Sequence, residues 1–133
     1  MREIKFRGRR SHDKEWVVGN LVIDNRGNKH IVPFSFFEED GHHLQYNDDT
    51  DKPVFFDQET IEQFTGLHDK NGKEIYEGDI PDDYGPVFFS NEYLGYFAKA
   101  NEIEREYKPI YDIPIIEVIG NIHENPELLE GRE

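Results

Sequence analysis

Polar and apolar positions alternate from the first residues of the chain. Ile4 and Phe6 fall on one side and Glu3, Lys5 and Arg7 on the other, the period-2 pattern of a half-buried strand. Gly8–Lys14, with its Gly, Ser and Asp, predicts a loop. Glu15–Ile23 (EWVVGNLVI) is rich in Trp, Val and Ile and predicts a second strand, with Gly19 marking a bulge or bend. DNRGNKH then reads as a turn and HIVPFSFF as a third strand. Pro33 has no N–H to give a ladder, so this strand belongs at a sheet edge or breaks there. Glu38–Pro53 is polar, and only His43–Tyr46 predicts a weak strand between acidic loops. Val54–Phe56 and Thr60–Gly66 predict two further short strands. No segment of this half sustains a 3.6-residue period, so the N-terminal half is β.

The second half opens on FTGLHDKNGKEIYEGDI, Phe64–Ile80. Asn71-Gly72 is the strongest short-range hairpin signal, because the tight turn needs a positive φ that Asn and Gly tolerate. Asp69 can bond its own downstream backbone in an Asx turn, and Glu77-Gly78-Asp79 predicts a second turn. Pro81 and Pro86 remove donors, so the strand after EGDI stops early and leaves the sheet locally open. PVFFS and LGYFAK predict a hairpin around Ser90–Tyr93. Ala98–Tyr107 fits either a short helix or a polar excursion. Ile113–Ile122 (IPIIEVIGNI) carries the strongest strand pattern: Ile116, Val118, Gly120 and Ile122 share one face, and Ile115 and Ile119 make the other partly apolar. A strand apolar on both sides is expected centrally or between layers. NPELLEG closes the pattern with a short helix, Asn125 as N-cap, Pro126 in the first position, Glu127 on the dipole and Gly131 as terminator. Leu128 and Leu129 would anchor it to the β core.

Composition changes this picture in two ways. The hydrophobic fraction is only 35%, yet 10 Phe, 7 Tyr and 1 Trp supply a core that the few aliphatics alone would not. A chain of 133 residues fits one domain over 1–133, divisible into an N-terminal β portion, 1–56, and a second portion, 57–133. The second change is charge. Fifteen Lys plus Arg face 29 Asp plus Glu, a formal −14. MREIKFRGRR alone is +4, with five basic residues and one acidic, so the remainder is −18, with 10 basic against 28 acidic. That field repels phosphate backbones and argues against general nucleic-acid binding. Lys and Arg on the first strand are expected to solvate its outer face. No apolar run approaches the roughly 18 residues of a membrane span, and no signal-type segment follows the basic start, so a soluble cytoplasmic protein is expected.

The candidate chemistry is thin. With no cysteine, thiolate metal sites and disulfides are excluded. From Asp69 the order D-K-N-G puts Gly72 fourth rather than sixth, and Ile80 stands where a calcium loop needs a bidentate Glu. No phosphate-loop pattern occurs. Adjacent His42 and His43 would point to opposite strand faces. His68, Asp69 and Asp79 could meet only if strand ends converge, without a recognised ligand spacing. Ser11, Ser35 and Ser90 lie outside any nucleophile-elbow context. No catalytic, cofactor-binding or metal-binding residue is assigned, and no cofactor is expected. Phe34, Phe36, Phe37, Phe88, Phe89, Tyr93 and Tyr96 outnumber what alternation buries, and form either core or a contact surface.

Three blocks in order, MREIKFRGRR…EWVVGNL, ETIEQFTGLHDKNGKEIYEGDI and IEVIGNIHENPELL, resemble the YopX family of small phage and prophage proteins. The resemblance implies a mainly all-β protein with an SH3-like barrel element, and supplies no activity, cofactor or site residue. The expected fold is therefore that barrel element with additional N-terminal β-strands and a short C-terminal helix. The expected function is a non-catalytic binding or accessory module in a bacterial host, with a protein partner or self-association through an open β edge. Two alternatives from other classes are an acidic imitation of nucleic acid that occupies a host DNA-binding protein, and an enzyme with an unrecognised site.

Overall fold

The computed structural model describes residues 3–34, 55–100, 107–113 and 115–129. It is mainly β and divides into two compact units, one ending at Gln63 and the other beginning at Phe64. Among the described residues every ladder is open.

In the first unit β1 (Phe6–Arg10) lies between β2 (Trp16–Ile23) and the first part of β4 (Phe56–His68), and β3 (Lys29–Pro33) pairs with β2, all antiparallel. The expected edge position of the Pro33 strand is what forms, and β3 ends at that residue. The loop expected from Gly8 is a correction: β1 runs on to Arg10 and the turn is confined to residues 11–13. Gly8 lies within the strand in a tight space. A Cβ there would stand 3.0 Å from Ile61 and 3.1 Å from Ile31. Gly19 makes no bulge either. It pairs in register with Phe6 and with Pro33, and a Cβ would lie 1.9 Å from the Val32 carbonyl oxygen, so close backbone approach requires it. Of the two short strands expected at 54–56 and 60–66, Phe56 and 60–66 lie in one strand, β4, with a register shift opposite Arg7–Arg9, and Val54 lies outside the described residues. Thr60 holds it together there: its hydroxyl accepts from the Arg9 N–H at 2.9 Å and donates to the Asp57 carbonyl at 2.6 Å.

The N-terminal strand also reverses its expected faces. Ile4 is 57% exposed, whereas Lys5 and Arg7 are buried. Binary patterning assigned the cations to solvent, but Trp16 of β2 and Glu62 of β4 cover Arg7, as described below, and Lys5 pairs with Glu3 at 2.8 Å. The predicted weak strand His43–Tyr46, with its acidic loops, and the residues Phe36 and Phe37 lie outside the described residues.

In the second unit the end of β4 pairs with β5 (Glu74–Tyr76) across the predicted Asn71-Gly72 turn, where Gly72 has φ 82°. Gly66, at φ 90°, sits in the register shift between Phe64 and His68. β6 (Asp79–Pro81) stops at Pro81 as the missing donor requires, and pairs with β10 (Val118–Asn121). β7 (Phe88–Ser90), β8 (Gly95–Lys99) and β9 (Tyr107–Pro109) form a three-stranded meander, which contains the predicted hairpin. The third strand, β9, was not expected. Of the helix or excursion considered over Ala98–Tyr107, both ends are strand, and 101–106 lie outside the described residues.

Ile113–Ile122 is the largest correction. Among its described residues only Val118–Asn121 are strand, paired with β6, and Ile115 and Ile119 are exposed. Ile115 adopts φ 53°, a left-handed conformation that a β-branched residue rarely takes and that departs from regular strand geometry. Ile113, Ile116 and Val118 nevertheless enter the core with Ile75, Val87, Ala98 and Ile110. The predicted C-terminal helix is a single 3-10 turn, Pro126–Leu129. The side-chain oxygen of Asn125, the expected cap, accepts from the Asn121 N–H at 3.2 Å. Leu128 packs where a Cβ on Gly120 would otherwise stand, 2.8 Å away. Gly131 lies outside the described residues.

Candidate functional site

The stretch with the most chemistry-bearing residues, Phe64–Ile80, folds as a tied-down turn. Asp69 is buried, and its Oδ1 accepts from the Asn71 N–H at 2.8 Å and the Lys73 N–H at 2.9 Å. Its Oδ2 accepts from the Val118 N–H at 3.0 Å, while the Lys70 N–H donates to the Ile116 carbonyl at 2.8 Å. One carboxylate therefore closes the turn and clamps the segment that leads into β10. Burial opposes its charge, but the N–H groups of Val118, Lys73 and Asn71 outweigh that and hold it below the ordinary carboxylate range. Lys70 pairs with Glu117 at 3.1 Å on the same side and, with Asn71, lowers the Glu117 carboxyl as well.

Asp79 is fully buried and accepts from the Tyr76 N–H at 2.8 Å, which closes the second turn at Gly78. His68 is exposed, its ring set edge-on to Phe64 at 5.6 Å. The structure thus does not bring His68, Asp69 and Asp79 together as ligands. Among the described residues, no three His, Cys, Asp or Glu side chains converge to hold a metal.

A second cluster, in the first unit, escaped sequence reasoning. Arg7 donates from Nε and Nη2 to Oε1 of Glu62, at 3.3 and 3.1 Å, and its guanidinium lies 4.7 Å from the centroid of the Trp16 ring. Arg9 lies 5.9 Å from the same ring. Asp57 takes Lys14 at 2.8 Å, the Ser11 hydroxyl at 3.0 Å and Arg9 at 3.8 Å. The Lys14 ammonium chiefly lowers the Asp57 carboxyl, against some desolvation and with help from Ser11 and Arg9. Ser11 donates to the same carboxylate that takes Lys14 and Arg9, and the group is an ion-pair network that ties β1 and its following turn to β4. Alternation alone could not reveal it: Arg7 and Glu62 are opposite in register, and that register is set only by folding.

The third feature is aromatic. On the β7–β8–β9 meander, Ala98 is fully buried and Tyr96 packs against the core, so alternation turns Phe97 to the other face. There Phe97 stands 6.3 Å from Phe88 and 5.7 Å from Tyr93, and Phe88 stands 5.3 Å from Tyr107 in an edge-on pair. Tyr93 is 70% exposed and Tyr107 is 60% exposed, with Phe88 and Phe97 half-buried between them. Tyr93 is carried on the 91–94 turn, held by its N–H donating to the Ser90 hydroxyl at 3.1 Å. Of the aromatics considered from sequence, Phe88 and Tyr93 belong to this face. Phe89 and Tyr96 form an edge-on pair on the opposite one, 5.3 Å apart, and Phe34 is exposed in the first unit. Phe97 and Tyr107 were missed. Phe97 sits in a pattern that is apolar on both faces, and the strand bearing Tyr107 was not foreseen.

Among the described residues no helix is long and apolar enough to cross a membrane. The family model described as YopX protein matches residues 5–130, nearly the whole chain. No curated protein matches the chain.

Proposed function

The chain belongs to the YopX family, and from that premise we propose that it is a phage- or prophage-derived, non-catalytic binding module whose partner is a protein. One observation carries the reading: the row Tyr107–Phe88–Phe97–Tyr93, which leaves two tyrosines largely exposed on one sheet face. Tyrosine suits such a surface because its ring gives apolar area and its hydroxyl tolerates water while the face is unoccupied. The SH3-type description belongs to this proposal too. Its support is that Ile75, Ala98 and Val118, from three strands in separate open ladders of the second unit, pack in one core with Val87 and Ile110. A bacterial cytoplasmic location is part of the same reading.

The test is a pull-down of tagged protein from bacterial host lysate, with and without nuclease. A stoichiometric protein retained by the native chain and lost with Tyr93→Ser/Tyr107→Ser is the expected result. A partner retained equally by the double variant would remove the aromatic face from the function. The formal charge of −14 favours one other reading, imitation of nucleic acid. That reading predicts a DNA-binding partner that is indifferent to the tyrosines and released by salt.

A further inference from the structure

The exposed aromatic row lies in the more acidic of the two units. From residue 64 to the end of the chain, 6 Lys plus Arg stand against 16 Asp plus Glu, a formal −10 out of the total −14. That field discriminates between occupants of the face. A second copy brings the same negative charge and is repelled. A nucleic acid, although its bases would stack on such rings, brings phosphates into the same field. An anionic lipid surface is disfavoured for the same reason. A cationic protein segment gains on both counts, since ring faces and carboxylates attract the same charge.

Local arrangement sharpens the choice. Tyr93 sits on the 91–94 turn beside Glu92, which is exposed. At the other end of the row Lys99 lies opposite Tyr107 in register, on the same strand face. A cation is therefore favoured at the Tyr93–Glu92 end and disfavoured beside Lys99. Resting on the docking reading above, we propose that the β7–β8–β9 face takes an arginine- or lysine-bearing segment of a partner protein, with the cationic group over Tyr93 and its apolar neighbours along Phe97 and Phe88.

The experiment uses full-length isotope-labelled protein titrated with three synthetic peptides of one length. They carry arginine, glutamine or glutamate at the same positions between valines and glycines. The expected result is that the arginine peptide binds about tenfold tighter than the glutamine peptide, the glutamate peptide being weakest. Its amide shifts should concentrate in Phe88–Lys99. The preference should shrink at about 1 M salt, where the Debye length is about 3 Å. Tyr93→Leu keeps apolar bulk without the ring quadrupole and should lose most of the preference. Tyr93→Phe should keep it, and Glu92→Gln should reduce it with the fold intact by circular dichroism. Equal binding of arginine and glutamine peptides would overturn the cationic proposal and leave the docking reading standing. Arginine-peptide shifts that fall outside the meander, or no binding of that peptide, would overturn it as well. The docking reading itself fails only if the lysate partner ignores Tyr93→Ser/Tyr107→Ser.

Discussion

At the scale of single residues, Asp69 does the most with one side chain. Asp69→Ala strips acceptors from the N–H groups of Asn71, Lys73 and Val118, the last of them buried. A loss of about 2–3 kcal/mol is expected, read from the urea midpoint, with Asp69→Asn losing less because one acceptor oxygen remains. Asp24 makes a comparable turn on the surface. Its Oδ2 meets His30 Nε2 at 3.0 Å, and its Oδ1 accepts from the Arg26 and Asn28 N–H groups at 2.8 and 2.9 Å. The His30 contact first, and these two N–H groups next, lower its carboxyl to about 2. The folded value lies below the ordinary 3.8, so its stabilising effect is complete above about pH 4 and is lost as pH falls through about 2. A carboxyl NMR titration with its midpoint near the unperturbed value would contradict this. Both turns were legible, because Asp–x–Asn–Gly and Asp–Asn–Arg–Gly chemistry is local. Arg7 was not legible, since its cover comes from Trp16 and from Glu62, far along the chain.

Among the elements, β1 depends on that cover. Arg7 and Glu62 keep side-chain exposures of 10% and 9%, so removing one partner strands a charge in a poorly hydrated place. Glu62→Ala is expected to cost about 3–5 kcal/mol, whereas Arg7→Met combined with Glu62→Met should cost clearly less than Glu62→Ala alone. Chemical unfolding of the single and double variants checks this, and an additive cycle would mean the pair is not coupled. The elements that followed the pattern, β2, β3 and the β7–β8 hairpin, have partners close in sequence and turn chemistry that sets their register. Those that departed from it were decided by non-local contacts. β4 is one strand rather than two because Thr60 and Asp57 are gripped by β1 and its following turn. The apolar run at Ile113–Ile122 is divided because Lys70 and Asp69 seize the backbone at Ile116 and Val118.

For the whole molecule, the carboxylates of Asp13, Asp24, Asp57, Asp69 and Glu117 are all held below their ordinary values. Each binds a proton less readily when folded than when unfolded, so protonation favours the unfolded chain. The melting temperature should hold between about pH 7 and 5 and fall below about pH 4, as followed by circular dichroism. Stability that rises continuously down to pH 3 would show instead that relief of the −14 charge dominates. The same charge governs association: with a cationic partner, the on-rate should fall as salt is added while the ring contacts persist in the off-rate.

The residues alone determined the β class, the turns at Asp24, Asn71 and Gly78, the edge position of Pro33, the stop at Pro81 and the sign of the field. Each depends on local backbone chemistry or on a sum over the chain, and neither needs to know what packs on what. Tertiary structure decided which face of β1 is covered, that Asp69 is a clamp rather than a ligand, and which aromatics are core and which are surface. Those outcomes turn on register between distant strands. Period-2 alternation says that two faces differ, but only the pairing partner says which one meets water.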